Sequence, residues 1–104
     1  MNTIAGGHPR HQLSEILHNP VRFSVVAALD KAEKISFQEV KEAIEVTDSA
    51  LSKQVASLQE AGYVLVQKSF VGKYPRTMLS LTKDGRKAWQ AHLSALREIA
   101  GIVS

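Results

Sequence analysis

Thr47, Ser49, Ser52, Lys53 and Gln54 lie close together in TDSALSKQ, with the small residue Ala50 among them. Their hydroxyl, ammonium and carboxamide groups can hydrogen-bond phosphate oxygens and base edges. A helix beginning here would add the partial positive charge of its N-terminus, which favours a phosphate. Further along, Lys68, Lys73 and Arg76 surround Gly72 and Pro75. A basic hairpin tip of that kind can place an arginine in a narrow, electronegative minor groove. The alternative for the first set, taken alone, is the solvated face of a helix, and for the second, charge that merely keeps two strands soluble. Phe70 and Tyr74 could stack on a ligand or pack on the hairpin itself.

Catalytic chemistry finds little support. There is no cysteine, which removes disulfides, thiol nucleophiles, thiolate zinc sites and iron-sulfur clusters. No Gly-rich phosphate loop or recognisable nucleophile motif is present, and Asp84-Gly85 reads as a helix start. The chain is therefore not expected to be an enzyme or to need a cofactor. His8 and His11 lie three apart, with His18 and His92 elsewhere, but no paired helical spacing such as HExxH occurs. No metal site is expected, and these histidines read as solvated or helix-surface residues.

The elements that must position the polar and basic residues follow from local patterns. The 104 residues, 44% hydrophobic and 22% charged, suit one soluble domain with a modest core. Residues 1–12 carry glycines and a proline without hydrophobic periodicity and read as a flexible arm. The first residues lack the order of a secretory signal, and no apolar run could span a bilayer, so a cytoplasmic location is expected. Leu13, Ile16 and Leu17 have helical spacing and predict a short helix. Asn19-Pro20 then suits the cap and first position of another, with Val21, Val25, Ala28 and Leu29 inward. Ser36 and Glu39 form a capping-box pattern before a helix whose buried stripe is Phe37, Val40 and Ile44. After a turn at residues 45–48, Thr47 caps a helix that buries Leu51, Val55 and Leu58 and stops at Gly62. On that helix Ser49, Lys53, Ala56 and Glu60 face outward.

From Tyr63 the pattern changes, since YVLVQKSF and TMLSL favour strands and FVGKYPR between them carries turn signals. Pro75 supports a loop there. Thr82 can cap a last helix, on which Trp89, Leu93, Leu96, Ala100 and Val103 follow a four-three repeat of the kind that packs on a partner helix. Charge is unevenly placed beneath the net +3. Between Gly62 and Lys87 the basic residues Lys68, Lys73, Arg76, Lys83, Arg86 and Lys87 meet Asp84 alone. Between Ile35 and Ala61, Lys41 and Lys53 meet Glu39, Glu42, Glu45, Asp48 and Glu60.

The order helix, helix, turn, helix, hairpin, helix predicts a mainly α fold with a small β-hairpin, a winged helix-turn-helix. The pieces NPVR, TDSALSKQVASLQEAGYV, FVGKYPRT and LTKDGR, in that order, resemble the single-domain winged helix regulators related to the MarR and ArsR groups. The resemblance runs from about Leu13 to the C-terminus. It implies a transcriptional regulator that binds double-stranded DNA as a homodimer. The helix after the turn would enter the major groove, the wing would touch the minor groove or backbone, and the terminal helices would form the dimer. Residues 13–82 would then be the DNA-binding domain and residues 83–104 a dimerisation helix packed on it, with Leu13, Leu17, Trp89, Leu93, Leu96, Ala100 and Val103 at the interface. A winged helix used for protein contacts is the alternative, to which Glu39, Glu42 and Glu45 would contribute, and a metal-responsive regulator a weaker one. Any effector pocket would have to form between subunits.

Overall fold

The computed structural model describes residues 7–101, so Val103 and the first residues of the arm lie outside the described part. The element order is α1 (Pro20–Asp30), β1 (Ile35–Ser36), α2 (Phe37–Ile44), α3 (Asp48–Glu60), β2 (Val64–Val71), β3 (Tyr74–Leu81) and α4 (Lys83–Ile99). The strands form one antiparallel sheet in the order β1-β3-β2.

Each helix starts at a side chain that accepts from free backbone amides. Asn19 Oδ1 accepts from Val21 and Arg22 at 3.0 Å, with Pro20 in the first turn. At α2 the Ser36 hydroxyl accepts from the Glu39 amide at 3.1 Å while the Glu39 carboxylate accepts from the Ser36 amide at 3.2 Å, the reciprocal capping box. Thr47 caps α3 through the Ala50 amide at 3.1 Å, and Thr82 caps α4 through Gly85 at 2.9 Å. α3 ends in a Schellman motif: Tyr63 donates to the Leu58 carbonyl and Gly62, at φ 82°, to that of Gln59. The tight turn between α2 and α3 is made by Glu45 in the left-handed region, φ 58°.

The core joins Leu17, Val25, Val26 and Leu29 to Val40, to Leu51, Val55 and Leu58 of α3, to Val64 and Leu79 of the sheet, and to Trp89. Three local expectations need correction. The helix expected from Leu13 to Leu17 is a bend and turn, because Ser14 uses its amide on His92 and its hydroxyl on the Leu17 amide. Residues 9–12, expected to lack structure, form a 3-10 helix that packs on α4. The loop expected around Pro75 is strand. β2 and β3 run to Val71 and Tyr74, leaving only Gly72 and Lys73 as the turn. Gly72 alone of the turn pair has positive φ, the pattern of a type II′ hairpin. Pro75 fits because its pair with Phe70 is the non-hydrogen-bonded one next to a two-residue turn. β1 pairs with β3 only at Met78 and Leu79, so no strand needs the missing amide.

On α4 the inward stripe is Gly85, Trp89, His92 and Ala95. Trp89, expected to meet a partner, packs instead in the chain's own core with its ring 4.8 Å from that of Phe23. Leu17, also expected at a partner surface, is buried in the same core. Leu13, Leu93 and Leu96 are partly buried and Ala100 is exposed, so they flank the inner stripe.

Candidate nucleic-acid interface

α3 presents its polar side outward. Thr47, Ser49, Ser52, Lys53 and Ala56 are exposed, Ala50 and Gln54 are partly buried, and Leu51, Val55 and Leu58 anchor the opposite face. The Thr47 oxygen that caps the helix also lies 3.4 Å from the Ser49 hydroxyl, so the two form a small polar pair at the first turn. Asp48 is drawn sideways by Lys41, whose ammonium sits 3.0 Å away, which lessens the negative charge at the helix start. Gln54 is not free as expected. Its Oε1 accepts from Arg22 Nη1 at 2.6 Å, and the Arg22 Nε donates to the Ile16 carbonyl. Arg22 thus ties α1 to α3 and leaves the Gln54 amide nitrogen as its outward group. The sequence offered no signal for this pair, since it joins residues 32 apart.

The hairpin distributes its cations rather than stacking them on one face. Side chains alternate along a strand, so Val64, Val66, Lys68 and Phe70 share a face with Leu81, Leu79, Thr77 and Pro75, while Ser69, Val71, Tyr74 and Arg76 belong to the other. Lys68 donates across the ladder to the Thr77 hydroxyl at 2.9 Å. Its face borders α3, and together Ser52, Ala56, Gln59, Val66, Lys68 and Thr77 line a groove between helix and hairpin. Arg76 shares a shallow depression on the opposite face with Lys34, a basic residue just before β1 that the sequence pattern did not single out. The Glu39 carboxyl is held below its usual range, first by the hydrogen bonds from Ser36 and last by the charge of Arg76. Lys73 occupies the turn itself. From Val64 to Leu81 the hairpin has no acidic residue.

The charge of the following helix is partly compensated. Arg86 pairs with Asp30 at 2.6 Å and also reaches the Asp30 carbonyl. Lys53, Lys68, Lys73, Arg76 and Lys34 stand around helix and hairpin outside both ion pairs, as do Lys83 and Lys87 at the start of α4. Among the described residues no group of three or more His, Cys, Asp or Glu side chains is placed to hold a metal, although His18 and His92 line one shallow groove. His92 is buried rather than on the surface, with Nδ1 accepting from the Ser14 amide at 3.0 Å. Among the described residues no helix is long and apolar enough to cross a membrane.

Comparison with known proteins places this arrangement. Residues 21–100 match the winged helix DNA-binding domain family. An uncharacterized protein of Methanocaldococcus jannaschii is 27% identical over 86 residues, covering 83% of this chain and 94% of its own. A transcriptional regulator homologue from Pyrococcus horikoshii superposes with a TM-score of 0.79 at 28% identity, over 88% of this chain and 91% of that one. A transcriptional regulator of M. tuberculosis, solved with DNA, has the same fold, with a TM-score of 0.70 at 20% identity over 95% of this chain and 71% of the other.

Proposed function

This chain belongs to the winged helix DNA-binding domain family, and from that premise we propose that it is a transcriptional regulator that binds duplex DNA as a homodimer. α3 enters the major groove, and the hairpin lies along the neighbouring backbone and minor groove. The observation that carries this reading is the continuous surface in which the exposed polar side of α3 borders a hairpin without acidic residues. Cations on such a surface replace counterions condensed on the phosphates, which gives sequence-independent affinity and strong salt dependence. Short polar groups near the helix start supply the base contacts.

The residues divide by role. Lys68, Lys73 and Arg76 act on phosphates or in the minor groove, whereas Ser49, Ser52, Lys53 and the amide of Gln54 read the major groove. Thr47 and Ala50 keep the helix start polar and narrow. The experiment is a titration of the unaltered chain, Arg76→Ala and Lys53→Ala against a duplex selected from random DNA and against mixed-sequence DNA at several salt concentrations. Arg76→Ala should weaken both complexes and lower the salt slope by about one unit per subunit. Lys53→Ala should cost about 1–3 kcal/mol mainly on the selected duplex. A chain that shows no salt-dependent retention on any duplex is a protein-binding module instead.

A further inference from the structure

Among the described residues, the three most exposed large apolar side chains lie together at the end of the hairpin. Tyr74 is 77% exposed, Phe70 68% and Val71 56%, and Pro75 beside them is exposed as well. The register pairs Phe70 with Pro75 and Val71 with Tyr74, so the two pairs fall on opposite faces of the ribbon. A hairpin that only braces the fold would place polar residues on at least one of these faces. Here the last pair on each face is apolar, the sheet core ends well before them, and no other described residue is packed over them in the core.

The groups around this tip are Lys73 in the turn, Arg76 and Lys68, with no acidic residue on either strand. A second copy of the same tip would bring these like charges together. The complementary partner is a polyanion with apolar walls. The DNA minor groove, with phosphates along its rims, is such a slot once a kink opens it beyond its width of about 6 Å in straight B-DNA. Apolar side chains on two faces suit a slot with two walls rather than one flat surface, and phenylalanine and proline are among the wedges that partly unstack base steps and bend a duplex.

We propose that the hairpin tip is an apolar wedge for the DNA minor groove, with Phe70 and Pro75 against one wall, Val71 and Tyr74 against the other, and Lys73 at the phosphates. The inference rests on the DNA-binding reading above and deepens it: part of the affinity is independent of salt, and the bound duplex is bent. Apolar contacts release no counterions, so their loss lowers affinity without changing the salt slope.

The test compares the unaltered chain with Phe70→Ser/Tyr74→Ser and Phe70→Leu/Tyr74→Leu on a duplex selected from random DNA. Affinity is read at several salt concentrations, and end-to-end distance of the duplex by energy transfer. The serine pair should bind about ten-fold or more weakly at every salt concentration, with an unchanged slope and a straighter duplex. The leucine pair should recover most of the affinity. Both sites are exposed, and equal melting temperatures for the three proteins check that the fold is intact. Equal affinity and equal bend for the serine pair overturn the proposal, as does a loss that appears only as a shallower salt slope. Vesicles of phosphatidylcholine and phosphatidylserine form the second arm: if the serine pair loses vesicle binding and keeps its affinity for DNA, the tip is a membrane surface and the wedge is wrong. Failure of the unaltered chain to bind any duplex instead brings down the DNA-binding reading itself.

Discussion

His92 is 2% exposed, and its Nδ1 accepts the Ser14 amide, which requires the ring proton to sit on Nε2. Phe23 packs edge-on against the ring at 5.9 Å between centroids. Burial, and then the charge of His18, push the His92 pKa below the usual histidine value. A base whose folded pKa is depressed favours folding while it is neutral. That contribution is complete above the unfolded value of about 6.5 and is lost as the pH falls through the lower folded value. Protonation would also turn Nδ1 from acceptor to donor, facing another donor on Ser14. The prediction is that melting temperature falls on acidification from about pH 7 to about pH 5, and that His92→Asn, whose Oδ1 keeps an acceptor near the place of Nδ1 without titrating, flattens that fall. His8, His11 and His18 stay in both proteins, so the difference between the two melting curves belongs to His92. Parallel curves would show that its proton has no part in stability.

At the scale of elements, α4 is docked by its first turn. Thr82 receives the Gly85 amide, its own hydroxyl donates to the Gly62 carbonyl at 2.6 Å, and its amide donates to Tyr63 at 3.0 Å. A Cβ at Gly85 would collide with the Tyr63 carbonyl, which is backbone and cannot rotate away. Helix propensity alone says Gly85→Ala should stabilise by about 1 kcal/mol. The contact predicts the opposite sign, a loss of about 1–3 kcal/mol in urea unfolding, and a stabilised variant would show that α4 can shift at no cost. The same locality explains what the sequence disclosed. The caps at Asn19, Ser36, Thr47 and Thr82 and the stop at Gly62 are transactions between a side chain and nearby amides, so they were legible, as was the α3 stripe of Leu51, Val55 and Leu58. The turn at Ser14, the two-residue β1, Arg22 on Gln54 and the inward rotation of His92 depend on partners far along the chain, which no local period encodes. Pro75 misled for a related reason, because whether a strand tolerates proline depends on which of its edges is open.

For the whole molecule, the question is what lies against the flank of α4 that the core does not use. Leu93 and Leu96 are partly buried and Ile99 is 41% exposed, and Leu96 joins Leu17, Pro20 and Phe23 along a shallow apolar groove. Trp89 and Leu17 serve this chain's own core, so a partner would meet the neighbouring edge rather than the full four-three stripe. A twofold axis through that edge would pair two copies isologously and carry their α3 helices to major-groove segments one turn apart, roughly 34 Å, on a pseudo-palindromic site. Leu96→Asp places a carboxylate in the apolar surface that the proposed dimer would share, yet its position on the flank leaves the inner stripe of Gly85, Trp89, His92 and Ala95 untouched. The expected outcome is a folded monomer by light scattering at micromolar concentration where the unaltered chain is a dimer, with affinity for the palindromic duplex falling far more than for a half-site. The half-site comparison matters because each subunit keeps its own helix and hairpin, so the contacts to one half remain while the gain from holding two together disappears. An unaltered chain that is monomeric at micromolar concentration would remove the dimer and leave one winged helix binding one half-site.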